Sequence, residues 1–493
     1  MAATASDNNL KIFFQGTFIA GCGALALGVI NYLIRRHLEL NLPKAEYGFL
    51  YGVFALIMVF LAFLDLGLGQ GGTIMMSRRL AAGDRHGAAG IYSLVFYVKL
   101  GGGILLFLAL LAASPWLVDV YYRYPAGRTA FVLAALLVIF QALETCPGAA
   151  LDALKMFGLK SFLQGAKIAL ILAGVMIWVP ARGLNGAAAV FSGASLLMLM
   201  VAAAVLAGKC NIRLMPRSTL QRDDLTEIWR LCRWVALSMT GLTLITYTDT
   251  LILTWLRSLE DVALYNTALP IAQMLQVLNV IPGVFIPIVA ELWHRGDPAA
   301  IRRLCGTATI LLLMVAWATL TGTLLLGRDL ITILFSDRSV AAAPALVILA
   351  VGMPLSALAN FFMSALNAGH AAGKASGIIV IGVVANIVLN LLLISWLGIA
   401  GAALSTAGSY LLIGLLNFQA LRRTLPGEIV PRRDFIRVMT VGIIISTVAW
   451  LAAGKLNGLA ATLGVTMVLL LIMAALWWPV LARAYAAFRR RGT

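Results

Sequence analysis

The residues of this chain that could do chemistry are few, and they are charges set inside long apolar runs. Lys99, Lys167, Glu144 and Asp249 all lie within segments long enough to cross a membrane. A cation at the bilayer centre costs about 2.5 to 3.5 kcal/mol even on the lenient insertion scale, so a lysine at the depth of Lys99 needs a reason to be there. A buried ammonium suits phosphate binding; a buried carboxylate suits sugar hydroxyls or a coupling proton or sodium ion. Each has a plainer role beside it: Lys99 could pair with Glu144, Lys167 could snorkel to the headgroups, and Asp249 could pair with Arg257. Asp65 and Glu291 fall near segment ends, where capping, loop ion pairs or gating are natural. Arg35 and Arg36 could hold phosphates or anionic sugars, or anchor to headgroups. Tyr247 and Asn266 can meet sugar hydroxyls, although both residue types also join helices.

The remaining motifs do not add catalytic machinery. Gly67-Leu-Gly-Gln-Gly-Gly72 has dinucleotide-loop spacing but follows an apolar helix and not a strand. The four histidines are scattered through connections, and the five cysteines show neither paired nor metal-ligand spacing. No catalytic residue, metal or cofactor is expected, and the chain reads as a transporter and not as an enzyme.

The elements that must position these charges follow from composition. Of 493 residues, 61% are hydrophobic and 12% charged. That leaves too few polar groups to cover a water-soluble globule of this size. Only a helix lets a single segment satisfy its own backbone in lipid, which requires roughly 20 apolar residues. About fourteen segments qualify, including 12 to 34, 161 to 180, 185 to 208 and 263 to 290. The expected fold is an all-α polytopic membrane protein. Basic residues crowd every second connection, as at Arg78, Arg79 and Arg85, or at Arg422, Arg423, Arg432, Arg433 and Arg437. That asymmetry places both termini in the cytoplasm. The net charge of +17 then reflects topology and anionic headgroups, and no nucleic-acid partner is expected.

The chain also repeats itself. Gly183-Leu-Asn-Gly-Ala-Ala188 returns in the second half as Gly398-Ile-Ala-Gly-Ala-Ala403. At the same offset Glu46-Tyr-Gly-Phe49 faces Asp261-Val-Ala-Leu264, and Gly83-Asp84 nearly matches Gly296-Asp297. Two pseudo-symmetric six-helix lobes follow, with an even span count keeping them in one orientation. The expected organisation is an N-terminal lobe over 1–208, a cytoplasmic amphipathic linker over 209–233, and a C-terminal lobe over 234–421. Two further helices and a basic tail fill 422–493.

Several stretches carry a family resemblance. Pro43-Lys-Ala-Glu-Tyr-Gly48, Asp65-Leu-Gly-Leu-Gly69 with its loop ending Ala82-Gly83-Asp84, Ala263-Leu-Tyr-Asn-Thr-Ala268 and Phe285-Ile-Pro-Ile-Val-Ala-Glu291 resemble Wzx-type polysaccharide flippases of the multidrug/oligosaccharidyl-lipid/polysaccharide exporter superfamily. The resemblance implies alternating access and transfer of an undecaprenyl-diphosphate-linked oligosaccharide across the bacterial inner membrane, for O-antigen, capsule or exopolysaccharide synthesis. It implies membrane lipids, a polysaccharide polymerase and a chain-length regulator as partners, and a proton or sodium ion as the coupling species. Lys99, Lys167, Arg35, Arg36, Tyr247 and Asn266 are the candidate substrate contacts, Asp249 the candidate coupling site, and Asp65, Glu144 and Glu291 structural or gating groups. A cation-coupled multidrug antiporter and a peptidoglycan-precursor lipid flippase are the alternatives.

Overall fold

The computed structural model describes residues 27–210, 212, 214–215, 222–279, 289, 291–369, 371–425, 427–456 and 458–489. Most of the expected first span with Cys22, part of the 209–233 linker, and all but Val289 of the 285–290 stretch lie outside them. Helices are the only regular elements among the described residues. Eleven of them are long and apolar enough to cross a membrane. One, Phe157–Gly208, contains two of the expected spans and breaks non-helically at Gly183. Large apolar side chains stand on the surface, with Leu105 71%, Ile177 69% and Trp396 87% exposed. Exposure of that extent along so many helices marks a lipid-facing belt, and the protein is a multi-pass membrane protein.

The described chain divides into two compact units. Leu27–Asn266 contains α1 (27–41), α2 (Lys44–Asp65), α3 (Leu68–Ala81), α4 (Arg85–Trp116), α5 (Arg128–Ala153), α6 (Phe157–Lys209), α7 (Arg222–Leu256) and the first half of α8 (Leu259–Gln273). Within it α5 packs on α2, α4 and α6, and α7 packs on α2 and α3. Its core is apolar and aromatic: Phe49 meets Tyr122 edge-on, and Phe131, Val138 and Ala187 are buried around them. Glu46 sits in the first turn of α2, where an anion complements the helix dipole. It accepts a 3.3 Å hydrogen bond from Tyr124. Burial and that carboxylate raise the Tyr124 phenol above its ordinary pKa. The helical spacing of Leu225, Ile228, Trp229 and Cys232 is the opening of α7, which continues unbroken to Leu256. Gly101 to Gly103 lie within the helix α4.

Residues 267 onward contain α9 (Pro298–Leu334), α10 (Ala343–Ala368), α11 (Ala372–Leu397), α12 (Ile399–Thr424), α13 (Arg432–Ala452) and α14 (Leu459–Arg489). Here α12 packs on α10 and α11, while α9 contacts α10, α13 and α14. Ile310, Met314, Ile445, Met473 and Trp477 form the α9–α13–α14 core.

Local geometry repeats with the sequence. Gly183 (φ 53°, ψ −137°) and Gly398 (φ 57°, ψ −129°) adopt one conformation, and each turns one helix into the next. Side chains essentially forbid that region of φ and ψ. Three residues on, the returning helix passes so close that a β-carbon on Gly186 would lie 2.7 Å from the Trp178 carbonyl oxygen. One on Gly401 would lie 2.1 Å from that of Leu393. Trp178 and Leu393 are themselves mates at the repeat offset. Asp84 and Asp297 cap α4 and α9 alike, accepting from the N–H groups of Gly87 (2.7 Å) and Ala300 (2.8 Å). Gly48 packs against Leu259 and Ala263, and Ala263 is its own mate at the repeat offset.

This geometry makes a stability prediction. Gly401→Val and Gly186→Val should each destabilise the protein by more than ~2 kcal/mol, because a backbone carbonyl has nowhere to go. Gly464→Val, where nothing lies within 4 Å, should not. Thermal melts in detergent check this, and an unchanged midpoint for Gly401→Val would refute the close approach.

Candidate functional site

The α2 helix ends at Asp65, where the negative end of the helix dipole disfavours a carboxylate. The chain then turns through two residues of positive φ, Leu66 and Gly67, and restarts as α3. What offsets the penalty at Asp65 is Lys99, reaching from α4. Its Nζ donates to Asp65 Oδ1 at 2.5 Å and to the Thr145 hydroxyl on α5 at 2.6 Å. Lys99 is 1% exposed. The ammonium is therefore withdrawn from solvent and depends on these partners. Glu144, the partner considered for Lys99, meets Lys167 of α6 instead, at 2.5 Å. Lys167 is accordingly paired inside the protein and does not snorkel.

A third pair completes the pattern: Lys160 Nζ donates to Asp152 Oδ2 at 2.5 Å. Asp152 and Lys160 flank the turn between α5 and α6. Glu144 and Lys167 lie roughly two helical turns farther from it on either side. Antiparallel helices bring such residues face to face. The three pairs border one cavity of about 580 Å³, with Gln70, Thr73, Gln141 and Gln164 adding amide and hydroxyl groups. Counting Lys99, three ammoniums balance three carboxylates. Lys99 itself is sealed behind Asp65, whereas Lys160 and Lys167 line the cavity.

A second cluster gathers four more of the sequence candidates. Arg35 of α1 donates to the Asn266 backbone carbonyl at 3.1 Å and lies 4.6 Å over the Tyr51 ring. The Tyr47 hydroxyl reaches the same carbonyl at 3.4 Å. Asp249 is 1% exposed; its carboxylate accepts from the Tyr265 hydroxyl and, at 2.6 Å, from the Thr250 N–H. Tyr247 lies within electrostatic reach of both Arg35 and Asp249. The Asn266 side chain donates to Val262 of its own helix, so its backbone is what joins the cluster. Arg36 donates to the Tyr32 hydroxyl at 3.4 Å, and Glu291 forms an exposed pair with Arg295 one turn on.

Sequence reasoning missed Asp152, Lys160, Thr145 and the three glutamines. The signal for Asp152 and Lys160 was their place close to the α5–α6 turn, one on each side, where antiparallel helices bring residues together. The glutamines carried none, since only the cavity distinguishes them from polar residues elsewhere.

With this geometry in place, comparison with known proteins gives a consistent result. The family described as polysaccharide biosynthesis protein matches residues 42–344. The chain is 27% identical over 206 residues to the probable flippase AglR of Haloferax volcanii, covering 41% of this chain and 43% of that one. Its fold is similar to an inward-facing multidrug resistance MATE family transporter of the MOP superfamily (TM-score 0.71, 14% identity, 81% of this chain and 94% of the other). It is comparably similar to the lipid II flippase MurJ in an inward closed conformation (TM-score 0.69, 13% identity, 96% and 100%). The matched region exceeds half of the sequence, and the chain belongs to the polysaccharide biosynthesis protein family, with a fold like those of the MATE transporter and MurJ.

Proposed function

We propose that this protein flips undecaprenyl-diphosphate-linked oligosaccharide units across the bacterial inner membrane by alternating access between lobes at 1–208 and 234–421, with both termini cytoplasmic. The observation that carries this reading is the charge-balanced, amide- and hydroxyl-rich cavity among α2 to α6. Each sugar hydroxyl costs roughly 1 to 3 kcal/mol to dehydrate without a partner, so unaided passage of an oligosaccharide is prohibitive. A wall that alternates donors and acceptors removes most of that cost, while the lipid tail stays in the bilayer.

The residues divide the work by position. Lys160 and Lys167 face the cavity and can turn from their carboxylates toward a diphosphate, which offers more charge and more acceptors than one carboxylate. Lys99 holds Asp65 in place from behind. Asp249, buried against the Tyr265 hydroxyl, is the coupling site of the second cluster. A cation-coupled multidrug antiporter and a peptidoglycan-precursor flippase remain the other readings, and each has support in a fold match. The fold alone does not separate them, because the MATE and MurJ similarities are nearly equal in strength. The balanced polar wall favours a hydroxyl-rich headgroup over an apolar drug.

Paired variants test this division. Glu144→Gln with Lys167→Met keeps the pair neutral, yet glycan export should stay lost by an order of magnitude or more because the anion contact is gone. Asp65→Asn with Lys99→Met should recover most of what Lys99→Ala loses, because only mutual neutralisation is needed there. Export measured at matched protein levels decides it, and recovery by the Glu144/Lys167 double variant would remove Lys167 from the headgroup site.

Coupling is tested separately. In vesicles with an imposed proton or sodium gradient, Asp249→Asn should abolish gradient stimulation while residual downhill flipping persists. Tyr265→Phe, which removes one donor but keeps the carboxylate, should weaken the stimulation only in part. Undiminished stimulation in Asp249→Asn would end the coupling role.

A further inference from the structure

A second polar cavity, of about 600 Å³, lies in the unit formed by residues 267 onward. The start of α9, the connector before α13, the start of α13 and the end of α14 enclose it. Arg302, Arg303, Arg433 and Arg483 line it, against the carboxylates of Glu428 and Asp434. Four guanidiniums facing two carboxylates leave the cavity cationic. One carboxylate is already committed, since Asp434 is paired with Arg483 and so ties α13 to α14. Glu428 accepts from the Arg432 backbone N–H at 2.7 Å. Arg303 and Arg433 stand exposed at the rim.

The cavity is built and not a gap between loose ends. A β-carbon on Gly306 would lie 2.1 Å from the Ile429 carbonyl oxygen, so the connector rests directly on α9. Leu425 and Ile429 bury their side chains, and Arg437 Nε donates to the Leu476 carbonyl at 2.8 Å, joining α13 to α14 a turn deeper. Beside the arginines the surface becomes apolar at once: Phe435 is 41%, Ile436 51% and Trp478 67% exposed. A ligand matching both surfaces has a compact anionic head and long apolar chains. Basic pockets between membrane helices have this character where they hold phospholipid phosphates, and an exposed tryptophan at the same level is the usual anchor at the headgroup layer.

We propose that this cavity is a binding site for the headgroup of an anionic phospholipid of the surrounding membrane, with Arg303 and Arg433 gripping its phosphate and the acyl chains lying along α13. The site is separate from the α2–α6 cavity and does not depend on which glycan, or whether a glycan, is carried. Its occupant is a resident lipid and not the transported molecule.

The test is a binding titration of the full-length protein, purified in uncharged detergent, with fluorescent phosphatidylglycerol. Wild type should bind saturably and prefer it strongly over phosphatidylcholine. Arg303→Ala with Arg433→Ala should weaken binding roughly tenfold or more. Arg303→Lys with Arg433→Lys, which keeps the charge, should retain most of it. Arg422→Ala with Arg423→Ala, which removes two arginines from the last turn of α12, should leave it unchanged. Equal loss in that control would reduce the effect to non-specific surface charge and overturn the site. Equal affinity for phosphatidylcholine would also overturn it. So would displacement by inorganic phosphate at concentrations where phosphatidylglycerol succeeds, which would mark a free-ion site. Stronger displacement by polyprenyl diphosphate would assign the cavity to the transport path instead. If the double alanine variant does not fold, the lipid contrasts on wild type and the lysine variant decide the matter.

Discussion

The cost of an unmatched polar group in hydrocarbon governs this molecule. Backbone amides answer it by forming helices throughout. Side-chain charges answer it by pairing, and Lys99 shows how completely: an ammonium almost sealed from solvent holds Asp65 and Thr145 at hydrogen-bond distance. Helix joints rely on glycine, because a tight reversal needs both a forbidden φ/ψ pair and a close pass over a carbonyl. Gly183 with Gly186 and Gly398 with Gly401 meet that requirement in the same way.

Pairing has a functional consequence beyond stability. A cavity whose lysines all face carboxylates is nearly neutral, so it does not trap an anion by field alone. Under the proposed function, a diphosphate exchanges with carboxylates already bound to the lysines. The second cluster follows a different plan: Arg35 spends its hydrogen bond on a backbone carbonyl and its face on Tyr51, while the Asp249 carboxylate accepts from the Tyr265 hydroxyl and the Thr250 N–H.

The fold match extends the argument about where function resides. The MATE transporter and MurJ share this architecture at nearly equal similarity. The arrangement of helices therefore does not by itself specify a substrate. Discrimination lies in what lines the cavities. Polar, charge-balanced walls in the first unit and an arginine-rimmed pocket in the second are properties of side chains, not of topology.

By itself the sequence determined the class, the helical architecture and the internal register. Each rests on a local or periodic signal: span length, the alternation of basic connections, and glycines recurring at one fixed offset. It also singled out the intramembrane charges, because a lysine within an apolar run stands out against hydrocarbon. Which charge meets which was decided only by the tertiary structure. Lys99 had two carboxylates within plausible reach, and the packing of α2 against α4 and α5 chose Asp65 over Glu144. Asp152 and Lys160 looked like ordinary loop charges until the α5–α6 hairpin closed over the cavity. Span length and charge alternation are properties of the chain taken a segment at a time. A partner choice depends on distances of a few ångströms between segments, and those exist only once the helices have packed.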